Sequence, residues 1–363
     1  MKNEEIKQLI AKYAAGMTKD EGQELFEWVT NKPEDPNEKL WAENILSSSI
    51  VIKNHIGADK AAELLVTAYD EYKQNYPNAF EHKVDILRDT FELQTELKRI
   101  SDAHGTMNRY LYNALAQVSF ATNIPKMRYY SFRGISNYSL DEIENERITL
   151  AHPREFNDPL DTILVWWLNN EIKMAKKSEQ EMNFRLMMKK ASEHIKMRCL
   201  IGSKYKENDV WKEREVEDLS VLMWAHYANS HAGMCTLFDF EKSFFKTGAA
   251  TDEKKLVMIA PIEYTQIIDL SKGEPSMKEA LFQKSNFWDY ENEMRLCLFD
   301  VDKNEDYPYI ECKNAIKAVY LGVKCSDADR RTVEKAIGDK DIPLYQMAVD
   351  EKKLTRLKKI QIG

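Results

Sequence analysis

The sequence lacks any apolar run long enough to cross a membrane. A helix that spans a bilayer needs about 20 consecutive apolar residues, and the 363 residues contain no such stretch. The first residues, Met1 to Glu5, lead into an amphipathic pattern, whereas a signal peptide continues into a short apolar core. We therefore expect a cytoplasmic protein without a membrane partner.

Cysteine is scarce and irregularly placed. The five cysteines include no Cys-x-x-Cys pair, and an odd number at irregular spacing is typical of reduced cytoplasmic thiols. The seven histidines show neither the His-x-x-x-His nor the His-Glu-x-x-His spacing of zinc sites. We therefore expect no metal cofactor.

Positive charge is not in excess. The 52 Lys and Arg residues stand against 60 Asp and Glu, which gives a net charge of −8. Because nucleic acid-binding surfaces are usually strongly basic, we do not expect a nucleic acid partner. With 43% hydrophobic residues, 10% aromatic residues and only ten prolines, the composition is that of a folded globular protein.

The length favours about two domains. Residues 1–122 show apolar residues at helical spacing, as in Ile6, Leu9, Ile10 and Tyr13. We predict an all-helical bundle there, with later helices over 61–76, 79–100 and 106–120. This helical domain is a candidate sensor that binds a protein partner. A stretch around Asn123 and Pro125 is the predicted linker.

Residues 128–363 mix short strands and helices without strict alternation. This order favours an α+β domain with a small, largely antiparallel sheet over a doubly wound parallel sheet. The predicted strands cover 129–133, 147–151, 233–239, 256–264, 295–299 and 318–321. The predicted helices cover 139–145, 163–197, 221–228 and 327–337.

Charged residues alternate with apolar ones near one predicted strand. Glu291, Glu293 and Arg295 alternate with the apolar residues of 294–298, a pattern typical of a half-buried strand. On one face they would lie about 7 Å apart. Two acids and an arginine behind a Trp/Tyr pair indicate a site. The alternative is a solvated strand face whose charges pair with a neighbouring strand.

An arginine closes the first predicted strand. Arg133 follows aromatic residues that include Tyr130, and Gly134 comes next. A guanidinium group there can bind phosphate or carboxylate, while glycine lets a ligand approach the backbone. The alternative is an ordinary surface arginine at a strand end.

An Asn-Asp-Pro turn supplies further polar side chains. Asn157 and Asp158 cap their own backbone, and Pro159 fixes the angle that follows. Asp158 and Asp161 are candidates for ligand contacts or for a buried hydrogen-bond anchor.

An aromatic and histidine patch occupies the predicted helix 221–228. Trp224 and Tyr227 are three residues apart, and Tyr227 and His231 are four apart, so they are neighbours on a helix, with His226 near the opposite side. Such a patch suits stacking on a flat ring. The alternative is a set of core aromatics and surface histidines.

Taken in order, these segments resemble the bacterial domain family of unknown function 2971. The resemblance covers about 128–349, and Ala225 departs from it, because the family usually has Ser there. The family itself implies no activity. The matching segments are Tyr130 to Arg133, Leu140 to Leu150, Pro153 with Phe156 to Asp161, Met223 to Ala228, His231 to Cys235 with Phe238 and Asp239, Trp288 to Leu296 and Val319 to Gly322.

A looser likeness joins the arginine to the Glu-x-Glu segment. Phe-Arg-Gly on an early strand and Glu-x-Glu on a late one are similar to the arrangement in ADP-ribosyltransferases. The resemblance implies that Arg133 holds the pyrophosphate of NAD and that Trp224 or Tyr227 stacks on a base. It also implies that Glu293 stabilises an oxocarbenium-like ribose and that Glu291 orients the acceptor.

Three functions follow as hypotheses. The first is an NAD-using transferase or glycohydrolase, a stress or antiphage effector with NAD as substrate. The second is a metal-dependent nuclease or phosphoesterase that uses carboxylates and a histidine. The third is a non-catalytic module that binds a small molecule or a protein. Convergence of Arg133, His226 and Glu293 on one cleft would favour a site over a core. The residues of the second hypothesis are Asp158, Asp161, His226 and Glu293.

Overall fold

A computed structural model describes most of the chain from residue 57 onward. The helices predicted before residue 57 lie outside the described residues. The chain divides into two compact units. Of the described residues, the first unit contains 57–120, 179–193 and 253–255, and the second contains the others. The described ranges are 57–122, 124–158, 161–164, 166, 179–207, 210–245, 253–267, 275–303, 305–353 and 355–362.

The α-helices of the described residues are numbered in chain order. They are α1 (Ala58–Asn75), α2 (Phe80–Glu96), α3 (Ile100–Ala121), α4 (Asn137–Glu144), α5 (Glu179–Ser192), α6 (Val221–Tyr227), α7 (Met277–Phe282) and α8 (Asp327–Ile337). Short 3-10 helices cover Pro153–Glu155, Val216–Asp218, Lys242–Phe244 and Asn286–Glu291.

The strands are numbered in the same way. They are β1 (Tyr129–Arg133), β2 (Arg147–Thr149), β3 (Ile195–Gly202), β4 (Lys204–Glu207), β5 (Val210–Glu213), β6 (Met234–Phe238), β7 (Lys255–Pro261), β8 (Glu263–Thr265), β9 (Gln283–Ser285), β10 (Glu293–Asp300), β11 (Tyr309–Glu311), β12 (Ile316–Leu321), β13 (Leu344–Val349) and β14 (Leu357–Gln361).

The first unit is helical, as the sequence predicts. Leu65, Tyr69 and Tyr72 of α1 recur at helical spacing, and all three are buried. They pack in one apolar cluster with Ile86 and Leu87 of α2. None of the helices in the described residues is both long and apolar enough to span a membrane.

The second unit is built on an eight-stranded sheet. Its strand order is β14-β13-β12-β6-β1-β3-β10-β7. The pairs β1–β6, β1–β3, β3–β10, β6–β12 and β13–β14 are antiparallel, whereas β12 and β13 run parallel. The predicted α+β class is confirmed, but the sheet is larger than the small sheet that the sequence predicts.

Strand β3 corrects the predicted helix over 163–197. The helix α5 ends at Ser192, and residues 195–202 join the sheet. Ile195, Met197, Leu200 and Ile201 are buried, and so is Lys196. Residues 195–199 alternate apolar and charged side chains as a strand does, but only two residues separate β3 from the end of α5, and the predicted helix runs on into β3.

Strands β1 and β3 pair over a short stretch only. Tyr129 pairs with Gly202 and Tyr130 with Ile201, and their registered pairing ends there. In contrast, β1 pairs with β6 over five residue pairs and β3 pairs with β10 over seven. The sheet therefore opens into a gap between β1 and β3.

Candidate functional site

A cavity of about 370 Å³ lies where β1 and β3 separate. Because side chains alternate along a strand, Phe132 and Arg133 leave β1 toward opposite faces, yet both line the cavity. The lining also includes Arg198, Cys199, Asp161, Asn157, Tyr227, Lys284, Glu291, Glu293 and Tyr307. The cavity is therefore lined by side chains from both faces of the sheet, and its lining is rich in charge.

Two arginines form a cationic end. Arg133 Nη1 donates to Glu142 Oε1 at 2.5 Å, and Arg198 Nη2 lies 3.8 Å from the other oxygen, Glu142 Oε2. Arg198 also donates to Ser131 Oγ at 2.6 Å. Burial and then the nearby charge of Arg133 lower the pKa of Arg198 to about 10. Two guanidinium groups and one carboxylate leave this end with one positive charge at neutral pH.

A buried lysine binds the two glutamates at the other end. Lys284 Nζ lies 2.7 Å from Glu291 Oε2 and 3.2 Å from Glu293 Oε2. It lies 3.2 Å from Asp161 Oδ2 as well. All four side chains are at least 95% buried. The lysine is therefore the common cation of three carboxylates.

Arg295 lies behind the glutamates and completes the cluster. Its Nε donates to Glu293 Oε1 at 2.7 Å, and its Nη2 donates to Asp161 Oδ1. Its Nη1 donates to the backbone oxygen of Leu281 at 2.6 Å. The side chain is completely buried and does not line the cavity. Arg295 therefore fixes the geometry of two carboxylates from behind.

The charges of this cluster do not balance. Asp161, Glu291 and Glu293 supply three negative charges, and Lys284 and Arg295 supply two positive ones, which leaves one negative charge when all are ionised. Leaving charge unbalanced in a buried site is costly. A ligand cation, a developing positive charge or a proton would relieve that cost.

The two glutamates differ in their titration. Burial raises the pKa of Glu291, and Lys284 offsets only part of this. Burial acts in the same direction on Glu293, but Arg295 and then Lys284 outweigh it and lower its pKa to about 2. Glu293 is therefore the carboxylate that stays ionised, and Glu291 is the one that exchanges a proton more readily.

Asn292 explains how both glutamates reach one lysine. Glu291 ends a 3-10 helix and Glu293 begins β10, so Glu291 does not lie on the strand that its spacing predicts. Asn292 between them has a φ of 48°, in the left-handed region that Asn tolerates better than most residues. This turn brings Glu291 to Lys284 although it is outside the strand.

Two tyrosines form hydrogen bonds with the glutamates. Tyr227 Oη donates to Glu291 Oε1 at 2.6 Å. Tyr264 Oη accepts a hydrogen bond from the backbone nitrogen of Glu293 at 2.8 Å. Glu291 thus has a phenol on one oxygen and an ammonium on the other, which orients its carboxylate in the cavity wall.

The predicted site residues divide into two groups. Among those that line the cavity, Arg133 is at the cationic end, and Glu291, Glu293 and Tyr227 are at the acidic end. Trp224 lies in the core, where its ring meets Phe132 edge-on with a centroid distance of 4.9 Å. Tyr130 and Asn157 also line the cavity; Arg295, Trp224, His226, His231 and Asp158 do not.

The histidines and Asp158 have other surroundings. His226 is exposed, and its ring centroid lies 6.3 Å from that of Trp288. His231 has a φ of 71°, and its backbone oxygen accepts from Lys324 N at 2.9 Å. The backbone oxygen of Asp158 accepts from Asp161 N at 3.0 Å. Arg133 and Glu293 therefore converge on one cleft, and His226 does not join them.

Several charged residues of the site carry no signal in the sequence. Lys284 is the only charged residue of the three-residue strand β9, and no local pattern there indicates that it pairs with Glu291, Glu293 and the distant Asp161. Arg198 lies on β3, one residue beyond the end of the helix that the sequence predicts over 163–197. Glu142 lies on α4, and only the folded chain brings it to the arginines.

The residues of the nuclease hypothesis do not assemble into a ligand set. Asp161 and Glu293 share the cavity, whereas Asp158 and His226 lie outside its lining. In the part of the chain that the structure describes, no group of three or more His, Cys, Asp or Glu side chains is arranged to hold a metal ion. Asp161 and Glu293 instead accept hydrogen bonds from Arg295.

The comparisons with known proteins point to one family. No curated protein and no solved structure matches the chain. The family model described as "Protein of unknown function (DUF2971)" matches residues 223–296. Five residues of the cavity wall fall in this stretch, namely Met223, Tyr227, Lys284, Glu291 and Glu293. The resemblance to the DUF2971 family that the motifs indicate is thereby confirmed over residues 223–296.

Proposed function

We propose that the protein consumes NAD, as a transferase or a glycohydrolase that releases nicotinamide and passes ADP-ribose to an acceptor or to water. One observation supports this function above all. A single cavity has two arginines at one end and, at the other, a carboxylate cluster that carries one excess negative charge when all its groups are ionised. A dinucleotide cleaved at its nicotinamide bond needs both kinds of contact.

The arginine end suits the pyrophosphate. Guanidinium groups bind phosphate oxygens in pairs, and such charge-assisted hydrogen bonds are among the strongest. Arg133 is 24% exposed and Arg198 is 14% exposed, so both reach the cavity from fixed positions. Glu142 orients the two groups and leaves one positive charge for the ligand.

The acidic end suits the bond that breaks. As the ribose C1′–N bond opens, its electron pair leaves with nicotinamide and positive charge develops on the ribose. An ionised carboxylate at that point stabilises the transition state. Glu293 is suited to this because Arg295 and Lys284 hold its pKa low against the effect of burial. Its fixed position means that little reorganisation accompanies the reaction.

Glu291 is suited to the second half of the reaction. An acceptor hydroxyl or water that forms a bond to C1′ must lose a proton, and Glu291 takes it. Its pKa is raised by burial, and it is already oriented by Tyr227 and Lys284. Two carboxylates whose environments push their pKa values apart are typical of a divided acid–base role.

Release of nicotinamide from NAD tests this proposal. Purified protein is incubated with NAD, and nicotinamide is followed by chromatography for the wild type and for Glu293→Gln, Glu291→Gln and Arg133→Gln. We expect release by the wild type, loss of at least 100-fold in Glu293→Gln, and a raised KM in Arg133→Gln. Glu311→Gln, an exposed position outside the cavity, is the matched control.

Two further measurements separate function from folding. Thermal unfolding of each variant shows whether a loss of turnover is only a loss of structure. Calorimetry with ADP-ribose reports binding without chemistry, and Arg133→Gln should weaken it about tenfold or more. Full turnover in a folded Glu293→Gln protein, or no binding of ADP-ribose and NAD by the wild type, would rule out this function.

A further inference from the structure

Two exposed tyrosines meet at the edge of the cavity. Tyr307 lines the cavity and is 49% exposed, and Tyr138 is 60% exposed. Their ring centroids are 6.1 Å apart, with 39° between the planes. Exposed aromatic side chains are normal when scattered singly, but here two lie in contact beside a charged cavity. Their exposed ring faces are therefore available to a ligand.

The chain places this pair near the arginines. Tyr138 and Glu142 lie on α4, four residues apart, so they are neighbours on one side of the helix. Glu142 is the residue that pairs with Arg133. Pro308, next to Tyr307, accepts a hydrogen bond through its backbone oxygen from Leu150 N at 2.9 Å, and Leu150 lines the cavity. The aromatic pair is thus anchored beside the cationic end.

We infer that Tyr307, supported by Tyr138, stacks on the adenine of a nucleotide whose phosphates are held by Arg133 and Arg198. The inference rests on the proposed function and names the part of the ligand that function leaves open. Bases stack on aromatic side chains because each base has a polarisable flat face. Trp224, the stacking residue that the sequence suggests, is fully buried against Phe132 and has no exposed face.

The placement also fixes the direction of the ligand. Adenine at Tyr307, phosphates at the arginines and the nicotinamide ribose at Glu293 follow the order of these groups in NAD. A ligand of this form spans the cavity from the exposed edge to the buried carboxylates. Tyr307 then contributes affinity and selects for a base, while it takes no part in bond breaking.

Calorimetry with two ligands tests the inference. The probes are AMP and ribose 5-phosphate, which differ in the adenine alone. We expect wild-type protein to bind AMP more tightly than ribose 5-phosphate, and Tyr307→Ala to weaken AMP binding about tenfold while leaving ribose 5-phosphate unchanged. Tyr307→Phe keeps a ring and should bind AMP nearly as well as the wild type.

Tyr309→Ala is the matched control. Tyr309 lies in the same segment, is 48% exposed and does not line the cavity. Its loss should leave AMP binding unchanged. Equal weakening in Tyr307→Phe and Tyr307→Ala would overturn stacking, because the hydroxyl would then matter and not the ring. Equal affinity of the wild type for AMP and ribose 5-phosphate would overturn the inference and leave the phosphate site intact. Failure of the wild type to bind AMP, ribose 5-phosphate, ADP-ribose or NAD would overturn the proposed function with it.

Discussion

The ammonium group of Lys284 lies 2.7 Å from the carboxylate of Glu291, and both side chains are more than 95% buried. Glu291 follows Lys284 by seven positions and is the last residue of the 3-10 helix Asn286–Glu291. The same ammonium also serves Glu293 and Asp161. Three buried carboxylates therefore share this one lysine.

Replacing that lysine should destabilise the protein strongly. Lys284→Met keeps the side-chain length but leaves Asp161 and Glu293 with Arg295 and leaves Glu291 with the phenol of Tyr227. Removing one partner of a buried ion pair costs about 3–5 kcal/mol. Urea unfolding measures the loss. Lys278→Met is the control, since Lys278 is half-exposed and pairs with exposed Glu263; it should change the free energy of unfolding by less than about 1 kcal/mol. Equal midpoints for the two variants would contradict the prediction.

Removing the phenol at Glu291 should shift the pH dependence of turnover. Tyr227 donates a hydrogen bond to Glu291, which favours the charged carboxylate. Without it the pKa of Glu291 rises further. In Tyr227→Phe the acidic limb of nicotinamide release should therefore move to higher pH. Tyr309→Phe, outside the cavity, should leave the profile in place. An unmoved or lowered limb in Tyr227→Phe would show that Glu291 is not the proton acceptor.

The stability that Glu293 contributes should depend on pH in a defined sense. Its pKa is about 2 in the folded protein and 4.5 without the protein environment. A depressed carboxyl pKa stabilises the folded state above pH 4.5, and that contribution disappears as the pH falls toward 2. The difference in unfolding free energy between wild type and Glu293→Gln should be constant above about pH 5.5 and shrink below it. Urea unfolding from pH 3 to 7 measures it; a constant difference would contradict the assignment.

Glu253, a buried carboxylate of the helical unit, should stabilise that unit. Glu253 is 3% exposed in its side chain; Tyr69 and Asn113 donate to it, and Lys83 lies 3.9 Å away. Burial lowers the pKa of Lys83, and Glu253 opposes that effect. Glu253→Gln should therefore cost about 2 kcal/mol or more, because a buried ammonium loses its anion. The double variant with Lys83→Met should recover part of the loss. Additive losses would mean that the two residues do not interact.

Gly233 should not tolerate a side chain. A Cβ built there would lie 2.3 Å from the backbone oxygen of Arg133 and 2.8 Å from that of Ala228. Gly233→Ala must therefore displace the strand that carries Arg133, and both stability and ADP-ribose binding should fall. Gly105→Ala is the control, since a Cβ built there meets nothing within 4 Å and Gly105 does not line the cavity. Wild-type binding in Gly233→Ala would show that Arg133 does not depend on this contact.

Local patterns predict much of this fold. Strand β1 and helix α8 have the bounds that the sequence predicts, because aromatic alternation and a serine cap mark them clearly. Strand β3 escapes prediction, since only two residues separate it from the end of α5 and the predicted helix runs on into it. Because β3 is not predicted, Arg198 is not identified as a site residue either.

The site is harder to predict than the fold. Glu291, Glu293 and Arg133 stand in recognisable motifs, and all three reach the cavity. Lys284 and Glu142 have no local pattern, because their roles come from residues more than a hundred positions away or from another element. Trp224 satisfies the spacing of a stacking surface, yet a large apolar ring gains most from full burial, and it packs in the core.

The short pairing of β1 with β3 has a consequence for how a ligand is held. Beyond Tyr130 and Ile201 the facing edges of these strands are not paired with each other. Residues on both edges line the cavity, and their peptide groups are donors and acceptors that no side-chain substitution removes. A molecule in the gap can therefore complete a ladder that the protein itself leaves open. Side-chain variants alone would then underestimate the binding affinity for the ligand. Replacing the peptide bond at Cys199 by an ester would measure the contribution of the main-chain hydrogen bond.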